Sequence, residues 1–230
     1  MAMAKNIVKN IRDEVDLFAP TLQQSIITDD FDQEYLPVNS IQPGAPIEFL
    51  IKIAHNFYLD LDESRFIVRA KITIANGTEM DNNVRATSVN LLLHSLFREI
   101  SATLNDTPAS GQIPLYPYRA YMETILNYSE ETQTTRLLSE GRAKVTAEQM
   151  AVTDYAGANT GLRNRATRFA ANAVIELVNR PHLDIFHQSL IIPPGISLRI
   201  KLLHSANQFV CICTPPACQN AVQVQFKVVI

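Results

Sequence analysis

Between Arg180 and Gln188 the chain reads RPHLDIFHQ, which places His182, Asp184 and His187 within a span of six residues. Two imidazoles and one carboxylate are the donor set of a non-haem iron facial triad. His182-x-Asp184 has the residue types of the proximal pair of such a site, and His187 or His204 would have to supply the distal imidazole. On a strand His182 and Asp184 share a face, whereas His187, three residues past Asp184, points away. His204 follows Asp184 by only 20 residues, beyond a PPG turn, and only 46 residues remain after Asp184. That is short for a distant return strand. The stretch therefore reads as a set of polar contacts at a strand end or a subunit boundary, with no residue assigned to a metal. Buried polar groups of this kind need partners, and a histidine cluster at such a boundary would make assembly sensitive to pH between about 5 and 8.

The other candidates are read the same way. His94, in VNLLLHSLFREI, is flanked by leucines and Phe97 and reads as a hydrogen-bonded core histidine. Cys211, Cys213 and Cys218 give C-x-C-x4-C, but a structural zinc site wants a fourth ligand and usually a second paired element. Two of the three fall in the alternating NQFVCICT, so they read as apolar strand residues in a reducing compartment. The basic run GLRNRATR carries Arg163, Arg165 and Arg168 and reads as a solvated loop or a protein contact rather than a nucleic-acid site. No phosphate-binding, dinucleotide-binding, nucleophile-elbow or HExxH motif occurs, and seven glycines in 230 residues leave little for phosphate loops. No cofactor is expected.

Composition narrows the classes further. Apolar residues make up 47% and charged residues 19%, the balance of a globular chain rather than a disordered one. A net charge of −3 gives no bulk attraction for nucleic acid. No apolar run approaches the roughly 20 residues of a membrane span, and the first residues do not read as a signal peptide, so synthesis in the cytoplasm or nucleus is expected.

The elements that must position these residues are mostly strands. APIEFLIKI (45–53), SRFIVRAKITIAN (64–76), FREISATLND (97–106), NAVIELVN (172–179), ISLRIKLLHS (196–205) and AVQVQFKVVI (221–230) carry strand patterning, most of it with period two. In SRFIVRAKITIAN, Phe66, Val68, Ala70, Ile72 and Ile74 fall on one face. Counted with shorter segments, these give seven or eight strands. YPYRAYMETILNYSEETQTTRLLSEGR (116–142) reads instead as helix, with a Tyr118, Tyr121, Met122, Ile125, Leu126 stripe, Ser129 as an N-cap and Gly141 as a stop. Residues 116–171 are thus a long, partly helical insertion between two blocks of strands. Residues 1–16 have the spacing of a short amphipathic helix and 1–30 read as an arm, leaving 31–230 as one domain. Strands divided by Pro/Gly turns, without a βα rhythm, predict an all-β chain: an eight-stranded jelly-roll sandwich with that insertion.

Four blocks together resemble a known family. They are DEVDLFAPTLQQSI with EYLPVNS and GAPIEFLI; YLDLDESRFIVRAKITIANGT; SVNLLLHSLFREISATLND with YPYRAYMETILNYSEETQTTRLLSEG; and GLRNRATRF with VIELVNRPHLDIFHQSLIIPPGISLRIKLLHSANQF. In order and spacing they are similar to capsid proteins of adintoviruses and Polinton/Maverick-type elements, from about Asp13 to Ile230. The resemblance implies a hexon-like viral jelly-roll capsid protein in the virion, non-enzymatic, self-assembling as a homotrimer into pseudo-hexagonal capsomers alongside other capsid proteins. It implies no specific nucleic acid, and a membrane partner is left unassigned. Chains of this kind continue into a second jelly roll, whereas this sequence stops at Ile230. Tyr116, Tyr118, Arg119, Tyr121, His182, Asp184 and His187 are the candidate subunit contacts, since Tyr and Arg recur at interface hot spots. Two alternatives remain open: a jelly-roll non-haem metal-dependent oxygenase using His182 and Asp184, and a host-domesticated binding module derived from a capsid protein.

Overall fold

The computed structural model describes residues 31–42, 44–74, 86–109, 114–149, 152, 157–170, 173–205, 211–213 and 220–229, with backbone alone at 73, 74, 147, 211–213 and 220–229. The chain parts into two compact units, Met1–Asp32 and Gln33–Ile230. The helix expected over residues 1–16 lies outside the described residues, as does Cys218.

Ten strands are described: β1 (Glu34–Tyr35), β2 (Ile47–Lys52), β3 (Arg65–Ile74), β4 (Ala86–Ser88), β5 (Phe97–Leu104), β6 (Thr107–Pro108), β7 (Ile175–Asn179), β8 (Ser197–His204), β9 (Cys211–Cys213) and β10 (Asn220–Val229). One sheet has the order β1-β10-β3-β7, the second β2-β8-β5-β6, and β4 pairs with β9. Every described pairing is antiparallel. Along the chain the strands pass back and forth between the two larger sheets, β1 in the first, β2 in the second, β3 in the first, β5 and β6 in the second, β7 back in the first, then β8 and β10 one in each. This winding is shared with double-sheet jelly rolls.

Period-two patterning decides which face each strand buries. Ile47, Phe49 and Ile51 of β2 and Leu198, Ile200 and Leu202 of β8 are all buried, and the register sets them directly opposite one another as Ile47–Leu202, Phe49–Ile200 and Ile51–Leu198. The first sheet contributes Phe66, Val68, Ala70 and Ile72. The two sheets meet at Phe49 and Phe66, whose rings stack 6.4 Å apart. In β5 a register shift between Phe97 and Glu99 turns both Phe97 and Ile100 inward although they are three apart, as an irregularity of this kind allows. Asn105 and Asp106, both with positive φ, close the β5–β6 hairpin.

Between β6 and β7 the chain is helical rather than extended, so it is strand-rich but not all-β. Here lie α2 (Tyr116–Asn127), α3 (Glu130–Thr134), a 3-10 turn Arg136–Glu140, a second 3-10 turn Ala147–Gln149 and α4 (Thr160–Arg168). Helix α1 (Leu92–Ser95) precedes β5. Ser129 caps α3 by accepting the Thr132 N–H. Gly141 ends the first 3-10 turn with φ 82°, and an added Cβ there would lie 2.9 Å from the Leu92 Cβ, so only glycine lets the turn close on α1. Helix α4 holds the basic run that the sequence suggests is a solvated loop. Arg165 is buried instead, donating from Nε to the Ser88 carbonyl, and Arg168 donates to the Leu138 carbonyl.

Asn90 ties the insertion to the body. Its amide donates to the Ala143 carbonyl at 3.2 Å and its Oδ1 accepts the Ala143 N–H at 2.9 Å. Asn90→Ala leaves both backbone groups without that partner, and a loss of about 1–3 kcal/mol is expected, read from the urea midpoint at unchanged m-value.

Candidate functional site

Helix α2 turns Tyr116, Ala120 and Thr124 inward, one residue per turn. The Tyr116 hydroxyl sits 2.9 Å from His94 Nδ1 and accepts the His182 backbone N–H at 3.1 Å. Burial pushes the Tyr116 phenol well above its ordinary range, so it stays protonated. Two turns further along α2, Glu123 reaches the same place: its Oε2 is 2.7 Å from His182 Nδ1. A carboxylate only accepts, so Nδ1 carries the hydrogen and Nε2 keeps its lone pair. Arg119 fixes Glu123 from outside, with Nε 2.6 Å from its Oε1 and Nη2 2.5 Å from Asp184 Oδ1.

Across the cluster the His94 and His182 rings meet edge to face at 4.5 Å. Glu140, the last residue of the 3-10 turn, is 0% exposed. Its carboxylate lies 3.3 Å from His94 Nε2, yet neither carboxylate oxygen, nor His94 Nε2, has a hydrogen-bond partner among the described residues. The His182 pKa is pushed down to about 2, by burial first and then by the neighbouring His94 and His187. Burial also lowers that of His187, with Arg180 adding to the effect.

Two readings of RPHLDIFHQ change here. A 3-10 turn, Asp184–Phe186, replaces the assumed strand, so His187 curls back until its ring is 5.8 Å from that of His182. Asp184 leaves the histidines and pairs with Arg119, while His204 packs beside Phe97 on β8. The facial triad of His182, Asp184 and a distal histidine is therefore not assembled. Tyr116 and His182 are also corrected as subunit contacts: at 1% and 2% exposure they belong to the interior. Arg119 and Tyr121 are half-buried, and Tyr118, Asp184 and His187 are exposed. The pH switch expected at this stretch loses His182, which stays neutral throughout that range. His94 is, as its context suggests, a buried and hydrogen-bonded histidine.

The sequence reading missed Glu123 and Glu140. Glu123 had a signal, since it stands one helical turn after Arg119 on α2. Glu140, in LLSEG, looks like any solvated acid before a glycine stop.

Most of the apolar stripe on α2 faces away from the interior. Tyr118, Met122, Ile125 and Leu126 point outward, with Met122 54% and Leu126 74% exposed. The inward face is the less apolar one because it must serve the His94–His182 cluster. No helix among the described residues is long and apolar enough to cross a membrane.

The architecture defined this way, two antiparallel sheets wound together with a helical excursion, has known counterparts. A chain of the Sputnik virophage, seen by electron cryomicroscopy, superposes with TM-score 0.52 and 9% identity over 95% of this chain and 50% of its own length. The mavirus major capsid protein covers 95% of this chain and 51% of its own, with TM-score 0.47 and 10% identity. In sequence, the uncharacterized protein F54H12.2 of Caenorhabditis elegans is 27% identical over 158 residues, which is 63% of this chain and 36% of that protein. The chain thus spans about half, or less, of the length of these relatives. No family model matches it.

Proposed function

We propose that the chain is an eight-stranded jelly-roll capsid subunit, a structural part of a virion or virus-derived shell, which associates with copies of itself as a homotrimer and with other capsid proteins. The observation that carries this reading is the winding of its strands through two antiparallel sheets, a fold shared with a virophage chain over 95% of this chain. The resemblance of its sequence blocks to adintovirus and Polinton/Maverick-type capsid proteins points the same way. Residues 1–30 serve as an arm in this reading, and the helical insertion between β6 and β7 supplies the subunit contacts.

The outward stripe of α2 supports that role. Tyr118, Met122, Ile125 and Leu126 form an exposed apolar row on a helix whose other face is committed to the interior. Apolar patches of this kind mark interaction sites, and in this reading the occupant is a second copy of the chain. Tyr118 within that row, and Arg119 and Tyr121 beside it, are the Tyr and Arg anchors in this reading.

The double variant Met122→Glu, Leu126→Lys tests it. Both positions are exposed, and Glu followed by Lys four residues later favours the helix, so the circular dichroism spectrum should be retained. Oligomers seen for the wild type by light scattering and negative-stain microscopy should be replaced by monomer. A double variant that assembles as the wild type does removes α2 from the contact. A wild-type chain that stays monomeric at every concentration removes the capsid reading.

A further inference from the structure

We infer that His94, Glu140 and His182 together hold one divalent transition-metal ion, zinc by donor preference, in a buried site beneath the insertion, with both Glu140 carboxylate oxygens and one nitrogen from each histidine making four donors. One ligand atom from each of the three lies within 4.8 Å of the others, and all three residues are buried. A tetrahedral zinc ion with ligands at about 2.0–2.1 Å spaces neighbouring donors by about 3.3–3.4 Å. His94 Nε2 and the Glu140 carboxylate are already 3.3 Å apart.

Among the described residues, both of these buried groups lack any hydrogen-bond partner. A buried carboxylate without partners is costly, and a cation between Glu140 and the imidazoles removes that cost. The outer contacts are those of a metal centre as well. Glu123 holds His182 Nδ1 at 2.7 Å, which leaves Nε2 as the donor, in the carboxylate–histidine–metal arrangement. Tyr116 stands beside His94 Nδ1 at 2.9 Å. Its oxygen accepts the His182 backbone N–H and has a second lone pair for the His94 Nδ1–H, the tautomer that a metal at His94 Nε2 would select. The charges balance too, with the two positive units of the ion and that of Arg119 against Glu140, Glu123 and Asp184.

The donors come from three separate elements: α1, the 3-10 turn Arg136–Glu140, and the loop before Asp184. The ion would therefore clip the insertion to the body of the sandwich. A second set, Glu123, His182 and His187, also converges within 4.8 Å. It competes for the same imidazole and is exposed at His187, whereas the inner set encloses the unpartnered atoms.

The test uses the 230-residue chain, stripped with chelator and titrated with Zn²⁺, and separately with Co²⁺. Uptake of one ion per chain is expected, with a zinc-dependent rise of several degrees in melting midpoint and visible d–d bands of four-coordinate Co²⁺. Glu140→Gln should weaken uptake at least tenfold and abolish the midpoint shift. His94→Asn, which keeps an amide near the Nδ1 position to meet Tyr116, should do the same. Glu123→Gln should weaken affinity by about 10–100-fold, as outer partners do, and His187→Ala should leave it unchanged. Absence of saturable uptake by the wild type overturns the site, leaving a plain His94–Glu140 pair. Wild-type affinity in Glu140→Gln or His94→Asn, or loss of uptake in His187→Ala alone, transfers the ion to the outer set and equally overturns it.

Discussion

Replacing Phe186 by alanine is expected to lower the unfolding free energy by about 3–5 kcal/mol, the range for removing a buried phenylalanine. Phe186 is 0% exposed and belongs to no strand. It drops from the 3-10 turn Asp184–Phe186 onto the ring of Phe66 at 6.2 Å, and Phe66 in turn stacks on Phe49 of the opposite sheet. The cavity left behind would be bounded by paired strands, whose registers prevent collapse. The same turn carries Asp184 and is flanked by His182 and His187, so the anchor of the sandwich is also the anchor of the cluster. Phe186→Leu keeps most of the volume and should cost far less, under about 1.5 kcal/mol. Urea unfolding monitored by circular dichroism measures both. A loss under about 1 kcal/mol for Phe186→Ala would mean that the turn is not fastened through this ring.

Where side chains alternate against a core the strands were legible from residues alone. Phe66, Val68, Ala70 and Ile72 in β3, and Leu198, Ile200 and Leu202 in β8, point inward as their spacing requires. What escaped is what alternation cannot encode. β1 and β6 are two residues each, too short for any period, and exist because longer neighbours pair with them. Helix α4 hides because its buried residues are Gly161, Leu162, Arg165 and Ala166, only one of them strongly apolar. Gly161 is there because an added Cβ would lie 2.4 Å from the Lys144 carbonyl oxygen, a contact made across the insertion. The α2 stripe was read from its periodicity, which identifies a helix but not which face meets the core. The cluster was half legible. His94 and His182 stood out by type, but their convergence depends on Tyr116, Glu123 and Glu140 from other elements. The strand assumed through Asp184 then sent His187 the wrong way.

Tyr116→Phe removes a single oxygen and is nonetheless expected to cost about 2–5 kcal/mol. The phenyl ring still fills the site, so the packing term is small. The loss comes from two groups left behind, the His182 N–H and His94 Nδ1, which the hydroxyl meets at 3.1 and 2.9 Å. Each buried polar group without a partner costs about 1–3 kcal/mol, and a site this enclosed gives little room for a replacing water. The hydroxyl also joins α2 to α1 and to the loop at His182, elements brought together only by tertiary structure. Its removal should therefore loosen the insertion before the sheets: faster hydrogen exchange at the His182 amide, with β3 and β8 amides still protected. Exchange at His182 unchanged from wild type, together with a stability loss under about 0.5 kcal/mol, would show that the hydroxyl does not hold these elements together.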